Sequence, residues 1–499
     1  MKYTVKIEPT GFSCSVNPGT PLRDIIHESG IEFPCAGQGI CGKCKFRLLE
    51  GNIALTGFHR KALERNRLGE EWRLACLSRV TEDITIRIDQ YEHIILADST
   101  PFRFTPEEGY GIAVDLGSTT IVSQLLNLGT GEIAGVETGI NPQARFGADI
   151  ISRISYALES EGNAQQLRTL VRNFIGEQVG KLSRQHQTEI KKVNIVGNTV
   201  MHHLFCGQDV APLSVYPFVS SRNEEFIFHP QELNWSLPPD TLIRFLPNIG
   251  SFVGSDILAG IKATGMHRKE KYQLLIDLGT NGELAIGNRD GILCASTAAG
   301  PAFEGTNISQ GMRATTGAIS GVSVQEGVLV PEVIGREKAQ GICGSGLIDA
   351  ITAFLETEQI DFTGNICSER ETLPLTDSVS LSAQDIREFQ LAKAAIAAGV
   401  QLLINQLGIT RNDVEHIYIA GGFGNYIDLG HATSLGLLEF ESDRIIRLSN
   451  SALIGAKMSL FTSENDLPGI LALTSHLSLE TAPGFQDVYC EKMFFDAYA

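Results

Sequence analysis

Four of the five cysteines within the first 76 residues constrain the fold of this 499-residue chain more than any other feature. Cys35, Cys41 and Cys44 share the run Pro-Cys35-Ala-Gly-Gln-Gly-Ile-Cys41-Gly-Lys-Cys44, and Cys76 follows in Leu-Ala-Cys76-Leu. Five residues separate the first two thiols and two separate the next pair; the fourth comes from a distant segment. Gly37, Gly39 and Gly42 punctuate the run, as they must where a loop wraps a small inorganic core and turns through positive φ. The pattern reads as the cradle of a 2Fe-2S cluster on Cys35, Cys41, Cys44 and Cys76, which makes the chain an electron carrier. Zinc is the competing reading. It calls for paired short doublets or a histidine pair, and only one doublet is present. Cys14, Cys206, Cys294, Cys343, Cys367 and Cys490 show no ligand spacing and are expected to be small buried hydrophobes.

The flanks of the cysteine run alternate. Tyr3, Val5 and Ile7 predict a strand, 20–29 a short helix, and 45–49 and 84–88 two further strands. With its five-residue spacing this segment resembles ferredoxins of the adrenodoxin type more than the photosynthetic kind. The resemblance implies an α+β, β-grasp 2Fe-2S domain over residues 1–90. A linker, 91–109, carries Pro101 and Pro106.

Bulk composition narrows the setting. A hydrophobic fraction of 43% over this length predicts a soluble chain of two or three domains. The opening Met-Lys-Tyr-Thr-Val-Lys reads as a strand and not as a secretory signal, and no run approaches the roughly 18 apolar residues that span a bilayer. Thiolates kept for iron need a reducing compartment, so a cytoplasmic location is expected. A net charge of −18 disfavours nucleic acid and anionic membrane, and suits a redox partner with a basic docking patch.

The second part of the chain carries a duplicated motif. Gly111-Ile-Ala-Val-Asp115-Leu-Gly117-Ser118-Thr119-Thr120 is an apolar strand that delivers an Asp and then a polar turn. Leu274-Leu-Ile-Asp277-Leu-Gly279-Thr280-Asn281-Gly282-Glu283 repeats that order. Backbone N–H and hydroxyl groups in such a hairpin suit phosphate oxygens, while the carboxylate faces the waters of a divalent metal. Two such halves are expected to close on one ligand. A third element, Ile417-Tyr-Ile-Ala-Gly421-Gly422-Phe-Gly424, ends a strand in a turn suited to close approach to an adenosine. Gly344 and Ser345 open a helix whose N-terminus suits phosphate or adenosine. Asp256 and Glu304 are candidates to orient the hydrolytic water. Small residues in 250–261 and 450–457 predict two helices that cross closely between the lobes, while His202 and His203 read as satisfied core histidines more than as metal ligands.

The two phosphate motifs and the adenosine motif, in that chain order, resemble the actin, sugar-kinase and heat-shock-chaperone ATPases. This implies an α/β two-lobed fold over 110–499, binding ATP with Mg2+ at Asp115, Gly117, Ser118, Thr119, Thr120, Asp277, Gly279, Thr280, Asn281, Gly344, Ser345, Gly421 and Gly422. A ferredoxin joined to that fold resembles the reductive activators of corrinoid-dependent methyltransferases, over nearly the whole chain. The resemblance implies an ATP-dependent enzyme that returns a Co(II) corrinoid to Co(I). It further implies a corrinoid-protein partner and an upstream low-potential electron donor, and it is compatible with a homodimer. The interval between ferredoxin and ATPase is shorter here than in many relatives, so no role of a domain there in dimerisation or docking is carried over.

The redox arithmetic explains the fusion. A plant-type cluster sits at about −400 mV, and a corrinoid about 200 mV lower makes each electron cost about 5 kcal/mol. ATP is expected to act on the partner complex, altering the acceptor, and not on the cluster. Two other functions fit less well. A small-molecule kinase with a redox-sensing ferredoxin lacks an identifiable substrate carboxylate. An activator of a radical dehydratase holds its cluster between subunits with few cysteines.

Overall fold

In β1 (Tyr3–Glu8), Val5 and Ile7 are buried while Lys6 and Glu8 face solvent, so the period-two pattern decides which face becomes core. The computed structural model describes residues 2–8, 12–26, 39–40, 42, 44–66, 68–69, 71–88, 102–147, 149–220, 222–279, 281–424, 426–461 and 466–495. Cys35, Cys41 and Thr280 lie outside them. With β2 (Phe12–Val16), β3 (Lys45–Glu50), β4 (Trp72–Leu74) and β5 (Ile84–Arg87), β1 forms a sheet of order β2-β1-β5-β3-β4. The first and last strands pair in parallel at its centre, through Val5 and Ile84, as a β-grasp requires. The helix expected from Thr20 begins instead at Arg23 and is described through Ile26, because Pro21 is held in a bridge to Arg79. Residues 27–29 of that expectation lie outside the described residues.

Two six-stranded sheets follow. The first contains β6 (Tyr110–Leu116), β7 (Thr120–Asn127), β8 (Ile133–Ile140), β9 (Ile190–Gly197), β10 (Phe226–Phe228) and β11 (Leu242–Phe245), in the order β10-β11-β9-β6-β7-β8. The second opens with β12 (Tyr272–Leu278), β13 (Gly282–Asn288) and β14 (Gly291–Thr297). A small sheet of β15 (Ala318–Gln325), β16 (Val328–Val333) and β17 (Gly341–Ile342) and a hairpin of β18 (Thr372–Pro374) and β19 (Ser380–Ser382) intervene. Then β20 (Val414–Ala420), β21 (Ile445–Arg447) and β22 (Thr474–His476) complete the order β21-β20-β12-β13-β14-β22.

The duplication is structural as well as sequential. In each half an antiparallel meander, β6-β7-β8 or β12-β13-β14, is joined along its first strand by a parallel one, β9 or β20. The crossing helices are Ser255–Thr264 and Ser451–Met458. A Cβ on Gly455 would lie 2.0 Å from the Ala259 carbonyl oxygen, so only glycine permits that approach. Residues 102–109 are more than a tether: Phe102 and Phe104 pack on Phe461 at 5.6 and 4.4 Å between centroids. The expectation that all six remaining cysteines are buried needs correction. Cys206, Cys294 and Cys343 are buried, Cys14 is half-buried, and Cys367 and Cys490 are exposed, the first in a bend outside any helix or strand and the second on the Phe485–Glu491 helix, which has no buried residues. No helix among the described residues is long and apolar enough to cross a membrane.

Candidate functional site

Loops at the ends of both six-stranded sheets line one cleft of about 290 Å³. Every nucleotide residue named from sequence that is described lies on it: Asp115, Gly117, Ser118, Thr119, Thr120, Asp277, Gly279, Asn281, Gly344, Ser345, Gly421 and Gly422. Asp256 and Glu304 do too.

Phosphate loop one is a tight turn. The Gly117 N–H donates to the Thr120 carbonyl at 3.1 Å, and a Cβ on Gly117 would sit 2.5 Å from that oxygen. Asn141 holds the loop from behind, its backbone N–H on the Thr119 carbonyl at 2.8 Å and its amide on the Gly117 carbonyl at 2.9 Å. The fully buried Arg153 donates to the Ser118 carbonyl. At the start of the Thr199–Cys206 helix, Asn198 caps the Met201 N–H with its side-chain oxygen at 3.0 Å and gives its amide to the Ser118 hydroxyl at 2.9 Å.

Four carboxyl groups converge in the cleft, and burial dominates their electrostatics. Asp115 is pushed up to about 6 by burial, although the Asn450 amide donates to it at 2.8 Å and offsets part of the shift. Asp277 is pushed up to about 7 by burial and by the Asp115 charge, against a 3.3 Å bond from the Ser451 hydroxyl. Burial and neighbouring carboxylates likewise raise Asp256 and Glu283. Buried acids without a cation keep their protons, and a divalent ion reverses that; no three of them are grouped to ligate an ion directly among the described residues, so the set fits Mg2+ held through its waters.

On the opposite side, a Cβ on Gly421, whose φ is +88°, would lie 2.4 Å from the Leu278 carbonyl oxygen, so the adenosine loop seats directly on the end of β12. Phe303 and Phe423 stack at 4.8 Å and 17° on the cleft wall. Gly344 begins a helix that runs to Glu356. The Ser345 hydroxyl donates to the Ser320 carbonyl at 2.8 Å, so that residue offers a ligand its backbone more than its side chain.

Sequence reasoning missed Glu283, Asn198 and Asn450 as site residues. Both asparagines directly precede a helix, and that N-cap position was the available signal. His202 and His203 are buried as expected, with ring nitrogens on the Glu224 and Thr199 carbonyls at 3.2 and 2.8 Å, but only His203 is fully satisfied: His202 Nδ1 has no partner among the described residues.

At the cysteine site, the described pair is Cys44 and Cys76. Their sulfurs stand 3.3 Å apart, too far for a disulfide and close enough to serve one metal centre. The Ala75 N–H donates to the Cys44 carbonyl at 2.9 Å, which brings the distant fourth cysteine to the loop. Gly39 and Gly42 have φ of +73° and +68°, and a Cβ on Gly42 would sit 2.6 Å from Asn66. The described half of the site therefore fits a shared metal centre; Cys35, Cys41 and the predicted turn residue Gly37 lie outside the described residues.

Family models cover almost all of the chain. Residues 5–81 match a 2Fe-2S iron-sulfur cluster binding domain, 110–269 the RACo middle region, and 271–498 the C-terminal domain of RACo, the ASKHA domain. The corrinoid activation enzyme RamQ of Eubacterium limosum is 33% identical over 451 residues, 82% of this chain and 75% of that protein. The chain belongs to the RACo family. A second relative of this RACo-family protein is the Co(II) methylated amine-specific corrinoid protein reductase of Methanosarcina barkeri, 27% identical over 427 residues and 77% of each chain. A solved structure, a reductive activator for corrinoid, iron-sulfur protein, superposes with a TM-score of 0.69 at 26% identity over 99% of this chain and 98% of that one. This RACo-family chain thus has a ferredoxin-type domain followed by an actin-like ATPase fold, with a 2Fe-2S cluster and Mg-ATP as cofactors. The RACo middle region corresponds to what the motif order reads as the first ATPase lobe.

Proposed function

We propose that this protein is an ATP-dependent reductive activator that returns the Co(II) corrinoid of a methyltransferase-system corrinoid protein to Co(I). The observation that carries this reading is one chain in which a cysteine cradle and a two-lobed nucleotide cleft are joined. It is similar over most of its length to proteins named for corrinoid activation and reduction. A 2Fe-2S cluster on Cys35, Cys41, Cys44 and Cys76 supplies single electrons at low potential when bound.

The remaining roles belong to side chains of the cleft. Asp115 and Asp277 face the waters of the metal that accompanies ATP. Ser118, Thr119, Thr120, Thr280 and Asn281 donate to phosphate oxygens, with Gly117 and Gly279 letting the backbone approach. Gly421, Gly422, Gly344 and Ser345 border the nucleoside. Asp256 and Glu304 orient the attacking water, and the raised proton affinity of Asp256 suits it to accept a proton from that water. Closure of the lobes turns on the crossing helices, where Gly455 and Ala259 meet backbone to backbone. In domain terms, 1–90 carries the electron, 91–109 links and 110–499 closes on ATP. A low-potential donor in the cytoplasm reloads the cluster, and a homodimer is compatible with this scheme.

The test is anaerobic. Corrinoid protein poised as Co(II) is mixed with the activator and titanium(III) citrate, and the visible spectrum is followed with and without Mg-ATP. Formation of Co(I) is expected only with nucleotide. Equal rates in its absence would overturn the reading.

A further inference from the structure

Charge is unevenly divided along the chain. Residues 1–90 carry 13 Lys and Arg against 11 Asp and Glu, so the net charge of −18 belongs to the remainder. Within the ferredoxin-type domain the two signs separate again along β3. That strand starts at Lys45, the residue after Cys44, and ends at Glu50, whose carboxylate accepts from the Thr85 hydroxyl at 2.8 Å. Glu82 and Asp83 stand at the same far end, where Asp83 accepts the Thr4 N–H at 2.6 Å. At the near end Lys45 and Arg47 are exposed and flank the Trp72 ring at 5.2 and 4.5 Å. Along this strand, positive charge lies beside the cysteines and negative charge away from them.

A second basic row reaches the cysteine loop from a helix. The Gly57–Arg65 helix buries His59, Ala62 and Leu63 and turns Phe58, Lys61 and Arg65 outward, at the i, i+3, i+7 spacing of one face. Its C-cap, Asn66, donates its side-chain amide to the Ile40 carbonyl at 3.3 Å, and a Cβ on Gly42 would lie 2.6 Å from the Asn66 side chain, so the row ends on that loop. Two large apolar side chains are presented here, Ile40 on the loop at 44% exposure and Phe58 on the helix at 61%. Neither Lys61 nor Arg65 makes an ion pair among the described residues, and the exposed acids described nearby are Glu64 and Glu71. A small apolar contact beside like-signed charges suits a transient electron-transfer encounter, in which charge steers the approach and little area is buried.

We infer that the surface formed by Ile40, Phe58, Lys61 and Arg65 is the docking site of an acidic one-electron carrier protein that loads the cluster. The reduced carrier gives one electron to the cluster and is itself oxidised by one electron; no covalent bond forms or breaks. Donor and acceptor then do not compete, because the ATPase part, which holds the negative charge, suits a partner with a basic patch. The inference rests on the electron-carrying half of the proposed function and not on the corrinoid.

Stopped-flow mixing of the oxidised holoprotein with a reduced flavodoxin, an acidic carrier, sets this surface against the charge of the whole chain. Docking at the basic end makes the second-order rate constant fall as salt is added, whereas steering by a net charge of −18 makes it rise. Lys61→Glu combined with Arg65→Glu is expected to slow the reaction about tenfold at low salt, and the difference should vanish in 1 M salt, where charges act over only about 3 Å. The visible spectrum of the cluster and a melting curve establish that the variant is loaded and folded. A binding readout accompanies the rate. With oxidised flavodoxin, so that no electron moves, carbodiimide is expected to join a flavodoxin carboxylate to Lys61 Nζ, located by peptide mass mapping. A rate constant that does not fall with salt, or a charge-reversed variant as fast as its parent at low salt, would overturn the proposal. Crosslinks confined to lysines of the ATPase part would do the same. No corrinoid protein enters the experiment, so a failure of that reading leaves this one standing.

Discussion

The two phosphate loops descend from one pattern, yet they are built and held differently. In loop one the ladder closes at Leu116–Ile121, and Asp115 faces Val122 across the strands. In loop two it closes one residue sooner, at Leu278–Gly282, and Asp277 faces Glu283. The shorter loop therefore sets two carboxyl groups side by side where the longer one has a carboxyl and a valine. Support differs as well. Loop one is fixed by Asn141, Arg153 and Asn198. Asp115 then receives an amide from Asn450, whereas among the described residues Asp277 receives a longer bond, from the adjacent Ser451. One helix terminus thus touches both carboxylates, and a duplicated sequence becomes an asymmetric clamp whose first loop is the rigid jaw and whose second carries the larger proton load.

The strongest challenge to that comparison is to neutralise each Asp in turn. Asp115→Asn and Asp277→Asn are each expected to lower ATP hydrolysis by about 10²–10³-fold. Both should raise the melting temperature of the ligand-free protein, since each removes a buried acid with a raised proton affinity. If either variant keeps more than about a tenth of the activity, the loops do not share the metal as described. Next in size is the hinge. Gly455→Val drives a side chain into Ala259, and urea unfolding should show a loss of about 3 kcal/mol. A stable variant with normal nucleotide affinity would mean that the helix crossing is not what sets closure.

Smaller effects separate the two supports. Asn450→Ala removes the bond that lowers the Asp115 proton affinity, so the acidic limb of the ATPase profile moves to higher pH and activity near neutrality falls about tenfold. Ser451→Ala, with its longer bond, should cost about threefold. The reverse ranking would exchange the roles of the jaws. The mildest signature is protonic. Folding raises both Asp115 and Asp277, to about 6 and about 7, so the ligand-free fold holds protons that the unfolded chain has lost. Their stabilising contribution is complete below about pH 4 and is lost as pH rises through 6 to 7. Mg-nucleotide takes the ionised forms, so calorimetry in buffers of different ionisation enthalpy should record proton release near pH 6.5, fading above pH 8. Proton uptake would contradict the assigned shifts.

Most of the frame was legible because its signals are local. Cysteine spacing, positive-φ glycines and a strand that ends in Asp-Leu-Gly each impose backbone geometry within about ten residues. Strand boundaries in the ferredoxin domain came out within one residue for the same reason. The helix at Thr20 started late because Arg79, far along the chain, keeps Pro21 extended. Asn198 and Asn450 looked like ordinary caps. Their second role depends on partners 80 and 335 positions away.

The amino-acid order by itself determined that the chain has a cysteine cradle, two phosphate loops and an adenosine turn, because each is a short-range steric or ligand-spacing requirement. Only the tertiary structure decided that four carboxyl groups share one buried space and that one helix end supports two of them. Burial and electrostatic coupling depend on how surfaces meet, and those meetings join residues hundreds of positions apart.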